Sequence, residues 1–196
     1  MKDLTKEYYE NNSEKFIDNT IDCDMQDQYN LLEKYLKDNV SILDLGFGSA
    51  RDMLYFKSKG YKVIGLDFSS KFCEHAKQLG FKQIYNDSIL QFDTNLKVDA
   101  IWACASLLHI KPKDLPKAFN KCYNLLKNEG YMYVSFKLGE FEGELNGRYF
   151  NFVNEEILKD IYQSEGFDLV ETYLSDDVRK EKINKWLNLI LKKSTE

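Results

Sequence analysis

Val40-Ser41-Ile42-Leu43-Asp44-Leu45-Gly46-Phe47-Gly48-Ser49-Ala50-Arg51-Asp52 decides the fold of this 196-residue chain. Val40, Ile42, Leu43 and Leu45 make a short apolar run, as expected for a strand buried on both faces of a parallel sheet. The run stops at Gly46-Phe47-Gly48, and Arg51 to Lys59 reads as a helix with Met53, Leu54 and Phe56 on one side. A strand that ends on glycines and feeds a helix lets a ligand approach the backbone closely. A second strand, Tyr61 to Leu66, runs into Asp67, which is placed to accept hydrogen bonds from a ribose.

The dinucleotide fingerprint Gly-x-Gly-x-x-Gly (or Ala) fails here. Its sixth position from Gly46 is Arg51, too bulky for close pyrophosphate approach and helix–strand packing. Asp44-x-Gly46-x-Gly48-x-Ala50 instead resembles the first motif of class I S-adenosylmethionine (SAM)-dependent methyltransferases, with Ala50 where a third glycine is usual. The resemblance implies that Asp44 orients the loop and the methionine amino group and that Asp67 holds the ribose hydroxyls. It also implies an acidic residue after the third strand to read the adenine amine. Asn86-Asp87-Ser88, following the strand-like Phe81 to Tyr85, supplies Asp87 there.

Gly46, Phe47, Gly48, Arg51, Phe68, Ser88 and Cys104 complete the implied cofactor set. The implied product is S-adenosylhomocysteine (SAH), and no metal is implied. The implied fold class is α/β, a three-layer Rossmann-like arrangement around a seven-stranded, mostly parallel sheet with a C-terminal antiparallel hairpin strand. The resemblance runs from about Val40 to Lys193. Residues 1–39 read as an N-terminal helical cap and 40–196 as the SAM-binding domain, together one compact unit.

Hydrophobic residues at 43% and charged residues at 30% describe a soluble globule. A net charge of −5 argues against nucleic acid as a general partner, which would require a basic face. No apolar run approaches a membrane span of roughly 20 residues, and Met1-Lys2-Asp3-Leu4 lacks a signal-peptide core. Cys23, Cys73, Cys104 and Cys122 show neither paired nor metal spacing, which suits reduced thiols in a cytoplasmic protein. The expected partner is a small-molecule methyl acceptor, with no membrane, and the expected assembly is a monomer or weak dimer.

Before the first strand, Asp24 is placed to cap a helix carrying Met25, Tyr29, Leu32 and Leu36. In the resembling family the still earlier segment folds over the cofactor and supplies part of the acceptor pocket. Tyr9 and Thr20 are the candidates here, with simple packing of Tyr9 against the domain as the alternative. Ser70 can cap a helix with Phe72, Cys73, Ala76 and Leu79 on one face; His75 reads as a solvated surface residue.

Val98 to Ala105 reads as the fourth strand and runs into Ser106-Leu107-Leu108-His109. Ligands in open α/β sheets bind outside the carboxyl ends of the strands, which puts Cys104, Ser106 and His109 at the mouth. His109 suits a general base or an acceptor-orienting role, against the alternative of a structural histidine beside the cofactor. Asp114 to Asn128 reads as a helix capped by Asp114, with Pro116 in its first turn and Gly130 just past its end. A strand from Tyr131 to Phe136 follows.

Leu138 to Asn151 reads as a long glycine-punctuated loop over the site. Arg148 there can clamp an anionic acceptor or tie down its own glutamates. Lys137, Arg148, Tyr149 and Phe150 are the substrate-side candidates. Asn154 is placed to cap a helix bearing Ile157, Leu158 and Ile161, and Phe167 to Leu174 and Trp186 to Leu191 read as the closing strands. No Asn-Pro-Pro-Tyr or Asp-Pro-Pro-Tyr follows strand four; that position is Cys104-Ala105-Ser106-Leu107, which favours a small-molecule acceptor.

Ala50-Arg51-Asp52, the Trp102 to His109 stretch and Gly147-Arg148-Tyr149-Phe150 are similar to a compact bacterial group labelled tellurite-resistance or small-molecule methyltransferases. The competing readings are an RNA-modifying methyltransferase and a non-catalytic nucleoside-binding protein.

Overall fold

The computed structural model describes residues 3–179 and 183–194. Its strands are β1 (Ser41–Leu45), β2 (Lys62–Asp67), β3 (Ile84–Asn86), β4 (Val98–Ala103), β5 (Leu126–Lys137), β6 (Glu142–Leu145), β7 (Arg148–Asn151), β8 (Phe167–Asp176) and β9 (Lys185–Lys193). Its helices are α1 (Leu4–Thr20), α2 (Gln26–Glu33), α3 (Arg51–Ser58), α4 (Ser70–Gln78), α5 (Leu115–Leu125) and α6 (Glu155–Ser164). Among these residues seven strands form one sheet in the order β3-β2-β1-β4-β5-β9-β8. The pairs from β3 through β5 are parallel, while β9 runs antiparallel to both β5 and β8. The mostly parallel sheet with a reversed C-terminal pair is the one expected. No helix among the described residues is long and apolar enough to cross a membrane.

Successive strand residues face opposite sides, and the core divides accordingly. Ile42, Trp102, Tyr133 and Ile190 pack with Tyr29 of α2 and Phe56 of α3. Their sequence neighbours Leu43, Ile101, Val134 and Leu189 pack with Phe119 of α5 and Leu158 of α6.

One polar group sits inside the first of these clusters. The Asp52 carboxylate accepts from the Tyr29 hydroxyl (2.5 Å), Arg51 Nε (2.7 Å) and Nη2 (2.9 Å), and Trp102 Nε1 (2.8 Å). Burial pushes Asp52 up, but Arg51 and these donors outweigh it and hold the carboxyl below its ordinary value. The cluster fixes α2, α3 and β4 to one another through a single side chain.

Several boundaries differ from the sequence reading. Ser69 rather than Ser70 caps α4, accepting from Phe72 N–H at 3.4 Å. Asp24 accepts from Gln26 N–H, but Met25 is the residue at the α2 cap position. Asp114 makes no side-chain cap bond, and its chain enters α5 through a 3₁₀ turn at Pro112–Asp114. Gly130 lies inside β5 and does not end α5; a Cβ there would meet the Lys127 carbonyl at 2.9 Å and the Asp99 carbonyl at 3.1 Å. Glu129, at φ 62°, takes the left-handed position instead. β3 is only Ile84–Asn86, and β4 ends at Ala103. Asn154 does cap α6, but Ile157 faces out at 47% exposure, and Leu158 and Tyr162 are the residues buried. His75 is half-buried, and its Nε2 lacks a hydrogen-bond partner.

The largest difference concerns residues 138–151. The expected loop is a two-stranded hairpin, with Glu142 opposite Asn151 and Leu145 opposite Arg148. Asn146 (φ 52°) and Gly147 (φ 77°) are both left-handed, as a two-residue hairpin turn requires.

Two stability outcomes follow. Asp52→Ala strands the Arg51 guanidinium without its counter-ion and should cost about 3–5 kcal/mol in denaturant unfolding, against about 1 kcal/mol for Tyr29→Phe. Gly147→Val forces a β-branched residue into the left-handed region with its Cβ 3.2 Å from Tyr8. It should cost about 1–3 kcal/mol and speed amide exchange in β7.

Candidate functional site

The chain lays down β1, β2 and β3 outward in one direction, then returns to place β4 on the other side of β1. A crevice forms where these directions part, outside the carboxyl ends of β1 and β4. The two strand ends touch: a Cβ on Gly46 would sit 2.5 Å from Ser106 Cβ. Gly46 (φ 72°), Gly48 (φ 51°) and Ala50 (φ 61°) are all left-handed, so the turn after β1 coils tightly before α3 begins. A Cβ on Gly48 would meet Phe16 of α1 at 2.8 Å.

Asp67 at the tip of β2 pins this turn. One carboxylate oxygen accepts from Gly48 N–H (3.0 Å) and the other from Ser69 N–H (2.8 Å). Burial pushes its pKa up to about 6 in spite of these backbone donors, and Glu10 adds to the rise. Asp87 N–H donates to the Asp67 carbonyl (3.1 Å), which aligns the β2 and β3 ends. Asp44 lies one layer below, 1% exposed, with Oδ2 unpartnered. Burial, then the charges of Asp52 and Asp67, drive Asp44 well above the carboxylate range against the pull of Arg51.

At the other end of the crevice, His109 closes a 3₁₀ turn at Leu107–His109. Its Nδ1 lies 2.6 Å from the Tyr149 carbonyl, which can only accept, so Nδ1 carries the proton. The Nε2 lone pair therefore accepts from the Tyr9 hydroxyl at 2.9 Å. Arg148 Nη1 donates to the same hydroxyl at 3.4 Å. Burial lowers His109 to about 4; the hydrogen bond to Tyr149 opposes this, and Arg148 and Lys137 add to it. Burial pushes the Tyr9 phenol up, with Arg148 opposing. Tyr149 N–H donates to Thr5 Oγ1 (2.9 Å), tying the hairpin to α1.

Both ends open into one cavity of roughly 1120 Å³. It is lined by Gly46, Phe47, Gly48, Arg51, Asp67, Phe68, Asp87, Ser88 and Cys104 at the glycine-turn side of the residue set, and by Tyr9, Thr20, His109, Lys137, Arg148, Tyr149 and Phe150. Asp44 alone of the sequence candidates lies behind the wall. Thr20 reaches the cavity with its hydroxyl donated to the Phe16 carbonyl (2.7 Å). Tyr9 both packs, against Phe16 and Phe72, and presents its hydroxyl to His109. Arg148 does not tie down its own glutamates: Glu142 accepts from the Tyr149 hydroxyl (2.7 Å), while Arg148 stacks on Tyr8 and Phe150.

Sequence reasoning missed Phe16, Asp52, Asp177 and Arg179, which also line the cavity. Arg179 and Asp177 form a two-point pair (2.8 and 2.7 Å) in the β8–β9 connection, a stretch that read only as a charged link.

The arrangement fits a SAM-type nucleoside on its own terms. Gly46 and Gly48 leave no room for a side chain, the Asp67 and Asp87 strand-tip residues line the cavity, and among the described residues Asp44 Oδ2 and Ser106 Oγ are buried polar atoms without partners.

Residues 43–134 match the family model described as a methyltransferase domain. A carboxy-S-adenosyl-L-methionine synthase of Campylobacter jejuni is 32% identical over 117 residues, 56% of this chain and 49% of that protein. The chain thus spans about half the length of the curated relatives it matches. Among solved structures, the Burkholderia thailandensis 1,6-didemethyltoxoflavin-N1-methyltransferase, with bound 1,6-didemethyltoxoflavin and S-adenosylhomocysteine, superposes with a TM-score of 0.79. It is 18% identical, over 98% of this chain and 88% of that one. The [4+2]-cyclase SpnF superposes at 0.74 with 13% identity, over 97% of this chain and 95% of that one. These likenesses establish a shared fold. Residues 43–134, a little under half of the chain, are thus similar to a methyltransferase domain, set in a fold shared with a methyltransferase that binds S-adenosylhomocysteine.

Proposed function

We propose that the chain transfers a methyl group from SAM to a small-molecule acceptor, with Tyr9 and His109 receiving the acceptor's proton. The observation that carries this reading is the single cavity, which joins a glycine turn and strand-tip carboxylates to a Tyr9–His109 pair. At roughly 1120 Å³ it exceeds the usual range for one small ligand, about 300–1,000 Å³, and so suits a cofactor and an acceptor together. Asp67 and Asp87 would hold the ribose and adenine ends, and the Gly46–Gly48 turn with Asp44 and Ser106 the methionine end. When bound, the cofactor supplies a sulfonium methyl, passed in line as the carbon–sulfur bond breaks and its electron pair stays on sulfur.

The chain's own part is to fix the acceptor atom at contact distance and exclude water, an effect on the order of several kcal/mol. Removing a proton is the remaining task. Tyr9 already directs its hydrogen at His109 Nε2, so its oxygen can accept a proton while it passes its own along. The neutral, singly protonated His109 is the form this relay requires.

A net charge of −5 supports a small molecule over nucleic acid. The name of the curated relatives raises a second reading, in which the cofactor itself gains a carboxyl group. Mass analysis of the product separates the two: a methylated acceptor with SAH, or a carboxylated cofactor.

Calorimetry with SAH followed by a labelled-SAM screen over hydroxyl, thiol and amine acceptors tests the proposal. Asp67→Ala should weaken SAH roughly ten- to a hundredfold, the worth of charged hydrogen bonds. His109→Gln should lower kcat by about a hundredfold or more with SAH affinity retained. No SAH uptake would overturn the cofactor reading, and equal losses in both His109→Gln quantities would remove His109 from proton transfer.

The same histidine has a stability signature. The folded chain keeps His109 neutral down to about 4, whereas its ordinary value is 6.5. The unfolded chain therefore binds the extra proton between these values, and the stability tied to neutral His109 is present above 6.5 and lost as pH falls toward 4. Asp67, raised to about 6 from 3.8, acts in the opposite sense: its contribution is present below 3.8 and lost as pH rises through about 6. Thermal melts of wild type and His109→Gln isolate the first slope, because the wild-type advantage should shrink from pH 6.5 to 4.

A further inference from the structure

The acceptor end of the cavity carries a cation that the fold leaves incompletely answered. Arg148 opens β7 with its guanidinium 4.6 Å from the Tyr8 ring centre, 5.0 Å from Phe150 and 5.7 Å from Tyr9. Among the described residues its Nε is buried without a hydrogen-bond partner, and Nη1 makes the 3.4 Å contact to the Tyr9 hydroxyl. Among the described residues no carboxylate pairs with it: Glu142 is held by Tyr149, and Asp177 by Arg179. Buried guanidinium nitrogens are ordinarily matched by carboxylate or phosphate oxygens, two at a time.

A second cation gathers at the same place. Lys137, 9% exposed at the end of β5, holds Nζ 4.6 Å from the centre of the Phe150 ring that Arg148 also faces. Aromatic faces steady each cation, and two like charges sharing one ring repel, which adds to the pull on an anion at the Arg148 guanidinium. The glycine-turn end is prepared in the opposite way, with the carboxylates of Asp67 and Asp87 and with Arg51 already paired to Asp52. The cavity thus offers its acid groups where the nucleoside would lie and its unanswered cation where the acceptor would lie.

Resting on the methyl-transfer reading, we propose that the acceptor is a small carboxylate-bearing molecule. Its carboxylate docks on the Nε edge of Arg148 beside Lys137, and its nucleophilic atom meets the Tyr9 hydroxyl. Tyr149, Phe150 and Trp186 wall this end, so the body of the acceptor is flat or apolar. The docked anion also offsets two of the charges that disfavour a proton on His109, so acceptor binding makes the relay more basic; burial, the larger cause, stays in place.

Matched acid and amide pairs test the assignment without turnover. SAH-saturated protein is titrated calorimetrically with benzoate against benzamide, and with indole-3-acetate against indole-3-acetamide. At least one acid should bind about tenfold or more tightly than its amide, Arg148→Met should bring that pair to parity, and SAH affinity should stay as in wild type. If Arg148→Met loses SAH binding through misfolding, Arg148→Lys carries the comparison: it keeps the charge but not the Nε edge, and should reduce the acid's advantage without touching the amide. Equal binding of every acid and its amide overturns the inference, as does an acid preference that survives both substitutions. Failure of SAH itself to bind is a different result, which strikes the cofactor reading, whereas SAH binding without acid preference strikes the carboxylate assignment alone.

Discussion

The buried Asp67 carboxylate is the constraint on which the site depends. By accepting from Gly48 N–H and Ser69 N–H it ties the turn after β1 to the turn after β2, two segments that share no other side-chain clasp of this kind. The geometry it enforces explains the residues around it. Three left-handed positions at Gly46, Gly48 and Ala50 suit glycine, and even the third, an alanine, is fully buried and carries the smallest side chain that retains a Cβ. The carboxylate pulls against its own burial, which is why its pKa rises to about 6 although backbone donors surround it. A ligand hydroxyl arriving there would relieve part of that cost.

A second buried carboxylate solves a different problem. Asp52 keeps Arg51 engaged, so that an arginine beside the glycine turn neither projects into the crevice as a loose cation nor demands a phosphate. Breaking such a pair is costly because one charge is left behind, and here Tyr29 and Trp102 would lose their acceptor as well. The Arg51 side chain is thereby occupied at the carboxylate that joins α2, α3 and β4.

What could be read from the sequence was what depends on local period and spacing. The apolar run of β1, its glycines, and carboxylates one strand–helix unit apart at Asp44, Asp67 and Asp87 are short-range patterns. They led to the sheet and to the residues that line the cavity, with Asp44 buried one layer behind them. The Asp52 cluster was not legible, because its donors Tyr29 and Trp102 lie 23 and 50 positions away and meet it only after the sheet forms. The hairpin at 142–151 was legible in part: Asn146-Gly147 is a strong two-residue turn signal, but Glu142-Gly143-Glu144 flanks it with poor strand formers, and charge and glycine were read as loop. Gly130 misled for a related reason, since it is required by close backbone approach inside β5 and not by a helix end.

The division of the site along the chain bears on how far kinship can speak for chemistry. The matched segment, 43–134, contains the glycine turn, Asp67, Asp87 and His109. Tyr9, Lys137, Arg148, Tyr149 and Phe150 all lie outside it, on α1, the end of β5 and the hairpin. Those outlying elements are bound to one another, through Tyr149 N–H to Thr5 and Arg148 to Tyr9, and they reach the domain at His109. A fold shared with both a 1,6-didemethyltoxoflavin-N1-methyltransferase and a [4+2]-cyclase does not by itself name the reaction. The glycine turn and strand-tip carboxylates thus lie within the matched segment, while α1 and the hairpin build the far end of the cavity around one histidine that the segment supplies, and on the proposed reading the charge of that addition would select the acceptor.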